Sequence, residues 1–289
     1  QRQMCIRDRG LLYVIHEGRQ NLKDHPSIFV FDQKGKFIRA FGSQFQGGGH
    51  GIEVRTEGKE QFLYVCAYQN VKAFAKLTLK GEVVWEWHFH LDEEIEAHPL
   101  IDVCDREEFA HANACFPLDN GDVLVSFRRT HTLAIIDRKT KKFRWLKKDV
   151  MWGTTHDVQV LENGNLLFFA NGIYTPLNPF SRVIELDMKT GEEVWDYRGQ
   201  PTWTFFSPNI SGAQRLESGN TLICEGQMGR VFEVTPDQRI VWEYVSPFFG
   251  SYNWFGLERG GSGNSLFRAY RYSADSPEIG GRIKSPYNS

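Results

Sequence analysis

The 289 residues are 41% hydrophobic and 24% charged, enough apolar material for a large core. Thirty-four basic residues against thirty-six acidic ones leave a net charge of -2, which gives no electrostatic basis for a nucleic-acid partner or an anionic membrane surface. No apolar run reaches the roughly 18 residues that a membrane-spanning helix needs, so no membrane partner is expected.

Residues 1–9, QRQMCIRDR, look like translated adapter sequence and read as a non-native leader. The first clear strand covers residues 11–16, followed by residues 27–32, a Lys34-Gly35 turn and residues 37–41. Compared with later units this strand is the second of four. The innermost strand of the first unit is therefore expected to be missing or replaced by the leader. Gln46-Gly47-Gly48-Gly49-His50-Gly51 opens the second unit; a glycine run that precedes a strand is a weak phosphate motif, because a phosphate cradle normally opens a helix. Strands are expected at residues 51–55, 62–68, 73–79 and 83–87.

An acidic insertion interrupted by Pro99 fills the stretch to Glu108 and reads as a loop or short helix. Two related units follow, from Phe109 and from Gly153. Each opens with a histidine at the head of an apolar strand and turns through Asn120-Gly121 or Asn163-Gly164. After a second apolar strand come a strand ending at Asp137 or Asp187, a Lys-Thr turn and a strand carrying Trp145 or Trp195. The second strand recurs six times, around Tyr13, Tyr64, Leu124, Leu167, Leu222 and Leu266. Four short strands per unit, at a period of roughly 40 to 50 residues, predict an all-β fold, a β-propeller. Residues 1–289 are thus expected to form a single six-bladed propeller domain. The sixth unit supplies only residues 254–259 and 265–270 as strands, so the chain reads as N-terminally truncated, with incomplete closure.

The five cysteines, Cys5, Cys66, Cys104, Cys115 and Cys224, are odd in number and include no C-x-x-C pair. They read as buried thiols, in keeping with a reducing compartment, rather than as a disulfide framework or a cysteine zinc site, and no cofactor is expected. The compartment itself stays open, cytoplasmic or periplasmic.

Residues at the start of innermost propeller strands gather at one mouth of the central channel. His50, His111 and His156 hold that position in three successive units. Asn113 lies two residues beyond His111, on the same strand face; Arg128 and Arg129 end the second strand of that unit. Loops at residues 173–181 and 199–208 carry Tyr174, Trp203 and Phe205, aromatic residues placed to roof a pocket. A lone histidine is more often a satisfied core residue, but three in register with arginine and asparagine indicate a site. Asp137 and Asp187, and the tryptophans Trp85, Trp145, Trp195 and Trp242, read as turn formers and inter-blade packing.

His111-Ala112-Asn113, Arg128 within Ser126-Phe127-Arg128, Thr155-His156-Asp157, Asn163-Gly164-Asn165 and the closing Phe267-Arg268-Ala269-Tyr270-Arg271-Tyr272 resemble the motifs of the arylsulfate sulfotransferases. The resemblance covers residue 109 to the C-terminus; Gly48-Gly49-His50-Gly51-Ile52-Glu53 is more similar to six-bladed propellers of the NHL type. It implies transfer of a sulfuryl group between phenolic small molecules without a cofactor. His156 would be the nucleophile, Arg128 and Asn113 would hold the sulfuryl oxygens, and His111 with His50 would move protons. Arg129, Tyr174, Trp203, Phe205 and Arg268 would contact the substrate. Two other readings stay open: a non-catalytic propeller that binds a ligand at its mouth, and a metal-dependent lyase using the three histidines on zinc.

Overall fold

A computed structural model describes residues 2–6, 10–16, 25–46, 49–66, 72–88, 111–176, 178–254, 257–273 and Ser276. The acidic insertion predicted before Glu108 lies outside them. Among the described residues, five four-stranded antiparallel sheets follow one another in chain order, each a propeller blade. The first is β1 (Arg2–Ile6), β2 (Leu12–His16), β3 (Ile28–Phe31) and β4 (Phe37–Phe41); the second is β5 (Ile52–Glu57), β6 (Glu60–Cys66), β7 (Lys72–Thr78) and β8 (Val83–His88). The third runs β9 (Ala112–Pro117), β10 (Val123–Phe127), β11 (Thr132–Ile136) and β12 (Phe143–Lys148). Next come β13 (Thr155–Val160), β14 (Leu166–Ala170), β15 (Arg182–Leu186) and β16 (Glu193–Tyr197), and then β17 (Gly212–Arg215), β18 (Thr221–Glu225), β19 (Arg230–Val234) and β20 (Ile240–Val245). A hairpin of β21 (Gly250–Trp254) and β22 (Leu257–Gly263) ends the series. The result is an all-β propeller architecture.

Of the two alternatives for the first blade, the leader supplies its innermost strand: Arg2–Ile6 pairs antiparallel with β2 from Arg2 opposite His16 to Ile6 opposite Leu12. One expectation changes. The segment around Leu266 is not a strand. Its backbone bonds elsewhere: Leu266 N–H donates to Gly226 O at 2.8 Å, and Phe267 O accepts from Ser211 N–H at 3.1 Å. Those bonds dock it across the fifth blade and use up the groups a sheet partner would need.

Compactness divides the chain into Gln1–Pro117 with Arg271–Ser289, and Leu118–Tyr270. In the first unit Tyr13, Ile15, Val30, Ile52, Leu63 and Leu77 form a core whose members are all fully buried. In the second, β10, β11, β14, β15 and β18 are buried at every position. A strand covered on both faces needs apolar residues throughout, which is why VLVSF, TLAII and LLFFA do not alternate. Their hairpins share one turn. Gly121, Gly164 and Gly219 adopt φ of 86°, 84° and 84°, and their N–H groups donate to the carbonyls of Leu118, Leu161 and Leu216 at 2.8, 2.9 and 2.9 Å. Only glycine holds that φ without a Cβ penalty.

Asp137, Asp187, Trp145 and Trp195 take the structural roles expected of them. Asp137 Oδ1 accepts from Lys139 and Thr140 N–H at 2.9 and 2.8 Å, and Asp187 Oδ1 from Lys189 and Thr190 N–H at 2.7 and 3.1 Å, each fixing a turn. The indole N–H of Trp145 donates to Met188 O at 3.2 Å, and that of Trp195 to Pro236 O at 3.0 Å, so each outer strand is tied to the blade after it.

Candidate functional site

In the first unit the chain brings two imidazoles together. His50 precedes β5 and His111 precedes β9; both are buried, and their Nε2 atoms lie 2.9 Å apart. Two nitrogens at that distance need one N–H and one lone pair, so the rings share a single proton. His111 has φ 46°, a left-handed conformation costing roughly 1–2 kcal/mol that its surroundings must hold. Asn113 is buried on β9, two residues beyond His111.

The described cysteines offer no nucleophile. Cys66, Cys115 and Cys224 are free and buried. Burial, then contact with Cys66, pushes the Cys115 thiol well above its ordinary pKa, and burial pushes Cys224 up to about 12. Among the described residues no group of three or more His, Cys, Asp or Glu is arranged to hold a metal.

The second unit holds His156, buried in β13. Its Nδ1 is 2.6 Å from Asn171 Oδ1. Asn171 itself is oriented without ambiguity, because its Nδ2 donates to the carbonyls of Ser207 and Ile210 at 2.8 and 3.0 Å. Its oxygen must therefore accept, His156 Nδ1 must carry the hydrogen, and the neutral ring keeps its lone pair on Nε2. Sequence reasoning missed Asn171, which follows the buried strand β14 with no local motif to mark it; its side chain points back at the histidine.

Beyond His156 the strand is interrupted. Asp157 has φ 56°, and the register with β14 shifts between His156 and Gln159. The buried Asp157 carboxylate accepts from Tyr270 Oη at 2.6 Å, Arg268 Nη1 at 3.0 Å and Ala213 N–H at 3.1 Å. Burial raises its pKa, with Arg268, Tyr270 and the Ala213 amide each opposing the rise. The site is packed so closely that a Cβ on Gly212 would stand 2.2 Å from Asp157 Oδ2. Arg268, expected at the substrate, is instead a partner of the residue next to His156. Tyr270, within the closing segment, was not assigned a role.

Phe205 also departs from expectation. It is 1% exposed and packs edge-on against Phe169, Tyr197 and Phe232, an apolar ring filling the core between blades. Tyr174 and Trp203 are 61% and 76% exposed on their loops. Arg128 and Arg129 follow β10, both half-buried.

A further histidine, His131, is buried at φ 52° with Nδ1–H donating to Gly153 O. Burial lowers its pKa, against the Gly153 hydrogen bond. A histidine so depressed favours the fold fully above its unfolded value of about 6.5 and loses that contribution as pH falls toward the folded value. Thermal unfolding followed by circular dichroism should therefore show a steeper loss of Tm between pH 7 and 5 for the wild type than for His131→Asn, since asparagine accepts the left-handed backbone and does not titrate. Equal slopes would show that His131 charges without cost.

The profile of the family described as Arylsulfotransferase (ASST) matches residues 50–247. No curated protein matches the chain. Among solved structures, a streptogramin B lyase is 13% identical, with TM-score 0.54, covering 86% of this chain and 69% of that one. Virginiamycin B lyase from Staphylococcus aureus is 11% identical, with TM-score 0.54, covering 85% and 69%. A protein of unknown function from Bacteroides caccae is 14% identical, with TM-score 0.55, covering 83% and 79%. At such identities these three establish the shared propeller fold and nothing of the chemistry. The family profile spans more than half of the residues, and it takes in His50, His111, Asn113, Arg128, His156 and Asn171: the chain belongs to the arylsulfotransferase family.

Proposed function

We propose that this protein transfers a sulfuryl group from an aryl sulfate to a phenol through a sulfated His156. The observation that carries the reading is the His156 Nδ1 contact with Asn171 Oδ1 at 2.6 Å, which leaves Nε2 as the nucleophilic nitrogen. In the first half-reaction Nε2 attacks sulfur, the S–O bond to the aryl group breaks, and the departing phenolate takes a proton. The ring becomes an imidazolium bearing the sulfuryl group on Nε2, its Nδ1–H still donated to Asn171. A neutral amide acceptor steadies that cation without removing its proton, so the imidazole stays a good leaving group.

In the second half the acceptor phenol attacks sulfur, the N–S bond breaks, and the phenol proton is taken up. The His50–His111 pair is assigned both proton transfers, since it already holds one mobile proton between two nitrogens. Arg128 and Asn113 are assigned to the sulfuryl oxygens, where a guanidinium and an amide stabilise charge spread between entering and leaving oxygens. Arg129, Tyr174 and Trp203 are assigned to the aromatic groups. Asp157, held by Arg268 and Tyr270, is a positioning residue for His156. The architecture that goes with this reading has a sixth blade, begun by the β21–β22 hairpin.

Incubation with 4-nitrophenyl sulfate alone should leave one acid-labile sulfate per protein, and adding phenol should remove it as phenyl sulfate. Release of 4-nitrophenol that is not followed by any labelled protein would count against the histidine intermediate. No label and no release with several aryl sulfates would leave a binding propeller as the better account.

A further inference from the structure

A cavity of about 380 Å³ opens in the second unit, beside the segment that joins β12 to β13 and the loop that joins β14 to β15. This is the size of an ordinary small-molecule site. Its walls are fixed by backbone packing. A Cβ on Gly172 would meet Phe180 O at 1.7 Å, and one on Gly153 would meet Ile173 N and O at 2.6 Å. Gly172 N–H donates to Trp152 O at 3.1 Å, and Ser181 Oγ to Asn171 O at 2.9 Å, so both ends of the loop are clamped.

The lining is half charged, and most of that charge is already matched. Arg182 grips Glu193 with both terminal nitrogens, Nη1 to Oε2 at 2.6 Å and Nη2 to Oε1 at 3.2 Å, and Trp152 Nε1 donates to the same carboxylate at 2.9 Å. Arg198 Nε donates to Asp196 Oδ2 at 2.8 Å. Asp149 remains. One of its oxygens accepts Met151 N–H at 2.8 Å, and no guanidinium or ammonium contact to it appears among the described residues. The same cavity is lined by Met151, Phe180 and Thr175. One unmatched negative charge in a lining that also holds a thioether and an aromatic ring suits a small molecule that ends in a cation and carries a flat apolar body.

We propose that this cavity binds a primary arylalkylamine, with the ammonium on Asp149 and the ring between Met151 and Phe180. The proposal does not rest on sulfuryl transfer, and its test needs no turnover. Tyramine titrated calorimetrically into the full chain should bind, and 4-methylphenol, which keeps the phenol but lacks the ammonium, should bind at least about tenfold more weakly, the value of one charged hydrogen bond. Asp149→Asn preserves the cap on Met151, because asparagine caps as well as aspartate. It should lower tyramine affinity by a similar factor with an unchanged circular dichroism spectrum. Met151→Trp should fill the space and abolish binding. Equal affinity for tyramine and 4-methylphenol, undiminished tyramine binding by folded Asp149→Asn, or no tyramine binding at millimolar concentration would each overturn the proposal.

Discussion

Replacing His156 by alanine is expected to remove all acid-labile sulfate from protein incubated with 4-nitrophenyl sulfate, and to slow sulfuryl transfer to phenol by roughly 10⁴-fold or more. That is the usual consequence of deleting a covalent nucleophile whose supporting groups stay in place. The fold should survive, because Asn171 keeps its two bonds to the Ser207 and Ile210 carbonyls and Asp157 keeps Arg268 and Tyr270. The small void left by the ring should cost stability but not cooperativity. Radiolabelled donor followed by tryptic mapping is the measurement. Label that persists at full stoichiometry on His156→Ala would place the nucleophile elsewhere, and His50 or His111 would be examined next.

Asn171→Leu is expected to act on two quantities at once. Without the amide oxygen, His156 is free to rotate and to move its hydrogen to Nε2, and a displaced or wrongly protonated nucleophile should label about a hundredfold more slowly. Without the amide nitrogen, the buried carbonyls of Ser207 and Ile210 lose a donor, at about 1–3 kcal/mol for each group left unmade. The rate should therefore be read well below the melting temperature. An effect on stability alone, with the labelling rate and its pH profile unchanged, would make Asn171 a structural residue. The pH profile separates these outcomes because only a change of tautomer or basicity moves it.

The blade repeat was legible because the turn chemistry is local. Gly121, Gly164 and Gly219 announce the same hairpin three times, and fully apolar runs such as LLFFA declare strands covered on both faces. The ends of the repeat were not legible. Nothing in RQMCI marks it as a strand until β2 is there to pair with it, and SLFRAY has strand composition yet spends its backbone bonds on Gly226 and Ser211. Among the site residues, the histidines could be found by register, and the His50 and His111 contact followed. Asn171 and Tyr270 could not, since their partners, His156 and Asp157, stand 15 and 113 positions away. Phe205 was assigned to a pocket for being aromatic on a loop. Its ring instead answers the demand of a core already lined by Phe169, Tyr197 and Phe232.

The indole ties between blades carry a spectroscopic consequence. Trp145 and Trp195 each donate a single N–H to a carbonyl on the blade that follows, Met188 and Pro236. Separation of two neighbouring blades must break that bond and wet the indole, whereas fraying within one sheet leaves it intact. The two ring protons therefore act as reporters of different seams, the third with the fourth and the fourth with the fifth. Their hydrogen exchange and emission resolve which seam opens first when stability is distributed along a repeat in nearest-neighbour fashion.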